Sequence, residues 1–194
     1  MSTDLPAAVA SACHAVSAAL GDPPAVDLGA PTPCAEFDLR ALVEHFVGTS
    51  GAMARLGLGQ PLDPENPWGG GEHATEGDWS ARLRANLAAV GDGWSRPGSW
   101  TGDAQVGGSA MPRSMLGEMT LVEVATHGWD VARALGRSVE LDPEVAEAVD
   151  RAVASTAELG RQMGAYGPEV AVPAGAPGLD RALGKAGRDP GWTA

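Results

Sequence analysis

The chain has 194 residues, 44% of them hydrophobic, and a formal net charge of −12 at pH 7. That length and apolar content are enough for a real core and exclude a disordered chain. The charge excludes nucleic acid and anionic membrane surfaces as partners, because both are polyanions.

Aromatic residues make up only 5% of the chain, so Ala, Val and Leu must fill the interior. Cys13 and Cys34 are too few for a disulfide framework. No stretch approaches the roughly 20 apolar residues of a membrane span. The opening Met1-Ser2-Thr3-Asp4-Leu5-Pro6 lacks the positive leader of a secreted protein, and cytoplasm is the expected location.

Five segments carry a helical period. The first runs from about Pro6 to Leu20, with a proline suited to a first turn and Gly21 as a stop. The second starts after Asp38, an N-cap, and its apolar set Leu39, Leu42, Val43, Phe46 and Val47 recurs at one face. The third follows Asp78 through Trp79, Leu83, Leu87 and Val90. The fourth spans about Leu116 to Leu135, with Leu121, Val124, Ala125, Ala132 and Leu135 on one stripe and Gly136 ending it. The fifth opens at Asp142-Pro143, as cap and first-turn proline, and reaches about Met163. The long Gly57–Gly77 connection holds Pro61, Pro64, Pro67 and Gly69-Gly70-Gly71, as a lid or mobile segment would. Residues 165–194 read as an extended strap with a short helix near Leu179–Ala186. The sequence offers no alternating strand pattern of useful length and no domain boundary.

Glu123 and His127 are four residues apart on the fourth helix, about 40° apart in azimuth and one turn in height. That spacing lets a carboxylate oxygen and an imidazole nitrogen meet on one ion. His45 flanks the Leu42/Phe46 stripe of the second helix, where it can reach across to a neighbour. Two His and one Glu form a ligand set of catalytic zinc sites, which keep a further position for water or substrate. Spacing alone leaves open a surface Glu–His pair and a core histidine. Asp130 follows His127 by three residues. It either orients that histidine or acts as a general acid/base, or else it is a surface carboxylate paired with Arg133 or Arg137. Cys34 reads as structural. Trp68, His73 and Trp79 in and beside the long loop are candidate substrate contacts.

The run Glu123-Val124-Ala125-Thr126-His127-Gly128-Trp129-Asp130-Val131-Ala132-Arg133-Ala134-Leu135-Gly136 resembles the signature of the DinB-like superfamily. Within it, the chain resembles actinobacterial proteins similar to the N-terminal domain of mycothiol-dependent maleylpyruvate isomerase. Pro31-Thr32-Pro33-Cys34-Ala35-Glu36-Phe37-Asp38, Leu42-Val43-Glu44-His45, Leu179-Asp180-Arg181 and Gly187-Arg188-Asp189-Pro190-Gly191-Trp192 carry the same likeness. The resemblance implies an all-α, DinB-like four-helix bundle with an additional helix and an extended C-terminal strap, residues 1–194 forming one domain. It also implies a divalent metal on His45, Glu123 and His127, and mycothiol as cosubstrate. The isomerase carries a further C-terminal domain for which no counterpart is expected here.

The expected function is that of a metal-dependent, thiol-dependent S-transferase or isomerase acting on a small electrophile. Zinc suits the ligands, and nickel and iron(II) accept the same donors. The alternatives are a metal-hydroxide hydrolase or a metal-assisted lyase or cyclase on the same site, and a non-catalytic metal- or ligand-binding protein. The expected partners are the substrate and a low-molecular-weight thiol, with no nucleic acid and no membrane. The expected assembly is a monomer or homodimer.

Overall fold

A computed structural model describes residues 4–23, 26–75 and 78–194, so Met1 to Thr3, Pro24 and Ala25, and the last two residues of the long loop, Glu76 and Gly77, lie outside the described residues. The elements in chain order are α1 (Leu5–Leu20), α2 (Leu39–Gly57), α3 (Trp79–Trp94), β1 (Asp103–Val106), β2 (Ser109–Pro112), α4 (Arg113–Ala134), α5 (Pro143–Gln162) and α6 (Gly178–Lys185). The architecture is mostly helical and DinB-like.

Local chemistry sets the helix starts. The side chains of Asp4, Asp38 and Asp78 accept hydrogen bonds from the backbone N–H groups of Ala7, Ala41 and Ala81, each satisfying one donor that the first turn leaves free. Asp142 occupies the cap position of α5 but makes no side-chain cap bond, so the first-turn proline marks that start without it. Helix α4 begins three residues before the expected Leu116. Its first residue, Arg113, donates from its guanidinium to the carbonyl of Leu56 (2.8 Å) and ties the start of α4 to the end of α2.

One expectation fails. Residues 103–112 form an antiparallel hairpin, with Asp103 opposite Pro112 and Val106 opposite Ser109. Gly107 and Gly108 have φ of 53° and 83°, the backbone that a two-residue hairpin turn with the right twist demands. The strands are four residues each, too short for alternation to register beside longer helical periods.

Helix α2 packs on α3 and α4, and α1 packs on α3 and α4, which closes a four-helix bundle; α5 and α6 pack together, and α5 lies against α4. Phe46, Leu42, Leu83, Leu87, Leu121, Val124 and Trp94 are fully buried at its centre. Each such side chain contributes about 1.5–3 kcal/mol by leaving water. The Trp94 indole satisfies its one donor on the Met53 carbonyl at 3.0 Å, so its burial leaves no polar cost. Helix α4 is buried on more than the expected stripe: Val122, Thr126, Trp129 and Val131 are also enclosed, because the bundle covers one side and α5 another. No helix among the described residues is long and apolar enough to cross a membrane.

The long loop is tied down. Arg55 donates to the Pro61 carbonyl, and the Asn66 side chain bonds Gly70 in both directions. The Glu44 carboxylate accepts from the backbone N–H groups of His73 and Ala74. Gly48 on α2 meets Gly69 of the loop backbone to backbone. A Cβ on Gly48 would lie 2.8 Å from the Gly69 carbonyl carbon, whereas one on Gly51 would find only the Asn86 amide at 3.5 Å. Gly48→Ala is therefore expected to force the loop off α2 at a cost of about 1–3 kcal/mol. Gly51→Ala should be neutral or stabilise by up to about 1 kcal/mol, through helix propensity. Thermal melts of the two variants check this, and equal melting temperatures would show that the loop does not rest on Gly48.

Candidate metal centre

The packing of α2 on α4 brings His45 to Glu123 and His127. His45 Nε2 lies 2.9 Å from Glu123 Oε1, and His127 Nε2 lies 3.9 Å from Glu123 Oε2. One donor atom from each residue falls within 4.8 Å of the others. The two imidazole rings meet edge to face at 4.8 Å, and Phe37 stands beside both at 5.3 and 6.2 Å. His45 is 34% exposed in its side chain against 11% for His127, so the group opens to solvent on the α2 side.

The donors are held from behind. Thr49, one turn after His45, places Oγ1 2.8 Å from Glu123 Oε1 and 2.9 Å from the His45 carbonyl. His127 Nδ1 lies 3.0 Å from Asp130 Oδ2. Asp130 is completely buried, and its carboxylate fixes the His127 ring through Nδ1 with Nε2 turned toward Glu123. Arg188, from the segment after α6, closes the chain of contacts. Its Nη2 is 3.1 Å from Asp130 Oδ2 and 3.4 Å from Cys34 Sγ. Cys34 and Phe37 sit in the turn before α2, where the buried Thr32 hydroxyl is 3.0 and 2.7 Å from their carbonyls.

The electrostatics follow from this enclosure. Burial pushes the Glu123 carboxyl up, but the charge of His127, the hydrogen bond and charge of His45 and the Thr49 hydroxyl outweigh it and bring it down to about 2. Burial pulls His45 down, and the hydrogen bond and charge of Glu123 reverse the sign, so its net shift is upward. Burial raises the Cys34 thiol against the opposing charge of Arg188. Arg188 itself is held above the usual guanidinium range, since Asp130 more than offsets its desolvation.

Two imidazole nitrogens and a carboxylate converging at this spacing fit a divalent ion, with the open side left for a further ligand. The other candidates lie elsewhere. His73 bonds the Gly69 carbonyl through Nε2 at 2.8 Å, has Arg82 Nη1 3.3 Å from Nδ1, and lines a cleft of about 550 Å³ between the loop and α2–α3. None of His45, Glu123 and His127 lines that cleft, nor does Trp68 or Trp79. Trp68 is partly buried against the core, and Trp79 is 8% exposed, within it. Asp130 meets His127 and Arg188, not Arg133 or Arg137. Arg133 goes to the Trp192 carbonyl, and Arg137 caps the carbonyls at the end of α1. Thr49 and Phe37 were not anticipated, though Thr49 stands at i+4 from His45 on the same helix face. Arg188 was visible only as part of a matching segment.

The model of the mycothiol maleylpyruvate isomerase N-terminal domain matches residues 9–132. The chain belongs to that family. Two uncharacterized proteins of Mycobacterium tuberculosis, from strains CDC 1551 / Oshkosh and ATCC 25618 / H37Rv, are each 31% identical to it over 148 residues, covering 76% of this chain and 75% of the relative. No solved structure matches. The family match ends on α4, before α5, α6 and Arg188.

Removing the Asp130 carboxylate would leave the Arg188 guanidinium buried and unpaired. Asp130→Ala is expected to cost about 3–5 kcal/mol in urea denaturation at neutral pH. The double variant Asp130→Leu/Arg188→Met should recover more than half of that loss, since it removes both charges together. A single-variant cost below about 1 kcal/mol, the level of an exposed pair, would contradict the burial argument.

Proposed function

We propose that the protein is a divalent-metal-dependent enzyme that uses a low-molecular-weight thiol of the mycothiol type to transfer sulfur to, or isomerise, a small electrophilic substrate. The observation that carries this reading is the convergence of His45, Glu123 and His127 with one open side, in a chain of the mycothiol maleylpyruvate isomerase N-terminal domain family. Zinc suits this donor set best, and nickel or iron(II) would also be accepted. A divalent ion held there would supply Lewis acidity that strips the proton from a thiol, which otherwise ionises near pH 8.5.

The chain's own residues do the rest. With an ion bound at Nε2, Asp130 would accept the Nδ1–H of His127 and orient the ring toward the site. Thr49 fixes the Glu123 carboxylate on the opposite side. Phe37 walls the two histidine rings with an apolar surface that excludes water from one flank. A thiolate sulfur entering on the exposed His45 side would attack the β-carbon of an α,β-unsaturated carbonyl compound. The carbon–sulfur bond forms as the alkene pair shifts between the α-carbon and the carbonyl carbon and the carbonyl pair moves to oxygen, giving an enolate whose α–β bond is single. Rotation about the new single bond, followed by return of that pair and departure of the thiol, isomerises the alkene. Retention of the sulfur with uptake of a proton gives a conjugate instead. In this reading residues 1–194 work as one domain, in the cytoplasm, as a monomer or homodimer.

Purified protein is expected to hold about one divalent ion per chain by elemental analysis, with His45→Ala, Glu123→Ala and His127→Ala each losing it. Consumption of an α,β-unsaturated carbonyl compound should require added thiol and vanish in Glu123→Ala. Turnover that ignores thiol would move the assignment to hydrolysis. Full metal content in all three variants would remove the site.

A further inference from the structure

His127 belongs to two donor sets, one on each ring nitrogen. Beside His45, Glu123 and His127 lies a second group, Cys34, His127 and Asp130, whose donor atoms also fall within 4.8 Å of one another. A thiolate, an imidazole and a carboxylate suit zinc or cobalt as well as the first set does. The second set already holds a cation. Arg188, only 4% exposed, has Nη2 3.1 Å from Asp130 Oδ2 and 3.4 Å from Cys34 Sγ. The same guanidinium leaves Nε without a partner among the described residues, and Asp130 Oδ1 is likewise unpartnered, although both side chains are more than nine-tenths buried. The remaining guanidinium nitrogen, Nη1, donates to the Ala186 carbonyl at 2.7 Å, so the guanidinium is anchored at one end and presents its charge to the donor set at the other.

We infer that Arg188 is a resident cation occupying the Cys34–Asp130–His127 donor set, and that it thereby confines a divalent ion to the Nε2 side of His127. The second clause rests on the metal reading above; the first does not. A guanidinium and a divalent ion cannot share this pocket, because like charges a few ångströms apart repel strongly in a buried site. Neutralising position 188 opens the set, and Cys34 becomes a ligand once its proton is displaced.

The test is cobalt(II) titration without added thiol, followed by absorption. Wild-type protein should show visible ligand-field bands, lost in Glu123→Ala, and no sulfur-to-cobalt band near the ultraviolet. Arg188→Met should gain that band, and Arg188→Met/Cys34→Ser should lose it again. Arg188→Gln is a second neutral variant that keeps a donor for Asp130 and should behave as Arg188→Met does. Arg188→Lys keeps the cation and should show no band. If a neutral variant loses helical circular dichroism without metal, cobalt should restore the helix and the band together, since the ion replaces the missing charge. Neutral variants that give no sulfur band, or a wild-type band that depends on Cys34, would overturn the proposal. Wild-type protein that takes no cobalt while Arg188→Met shows the band would remove the metal reading and with it the second clause, and would leave Arg188 as the occupant of the donor set.

Discussion

A carboxylate with no access to water sits at the centre of this molecule, and its neighbours are arranged around the need to keep it charged. Asp130 is 0% exposed, with the His127 imidazole 3.0 Å away on one side and the Arg188 guanidinium 3.1 Å away on the other. Desolvating an isolated carboxylate costs several kcal/mol, so neither the bundle nor the strap could close on it without these partners. The same contacts set the ring orientation of His127 and the position of Arg188. Structure and chemistry are thus coupled through one side chain.

The chain is acidic overall, yet the centre is built by balancing charges locally. Glu123 is pushed down to about 2 because two histidines and a threonine hydroxyl surround it, despite its burial. The net charge of −12 has little bearing on a group enclosed in this way, since salt and water screen distant exposed charges and not contacts of 3 Å.

Much of the scaffold was legible in the sequence, because helices announce themselves locally. Asp38 caps α2 as expected, α3 starts at Asp78, Gly21 stops α1, and the apolar stripes of α2 and α3 face the core. The hairpin was missed, since its only strong signal is Gly107-Gly108 between strands of four residues. Within the site, the i, i+4 relation of Glu123 and His127 was readable from the period, whereas the meeting with His45 depended on the resemblance. The role of Asp130 stayed open because its deciding partner is far away in the chain. Arg188 lies 58 residues from Asp130 and 154 from Cys34, and no period or motif spacing spans such distances.

That separation has a consequence for how the centre comes into being. The first contributor stands in the turn before α2, the next two groups on α2 and α4, and the last beyond α6, so the centre is complete only when nearly every element has docked. Contacts between residues this distant in sequence form late, after the entropy of closing the intervening loops has been overcome. Until then a bundle with α1 to α4 in place would carry Asp130 without its counter-charge. The final docking of the strap is thus coupled to neutralisation of the core, and strap opening and loss of the centre should belong to one cooperative unit.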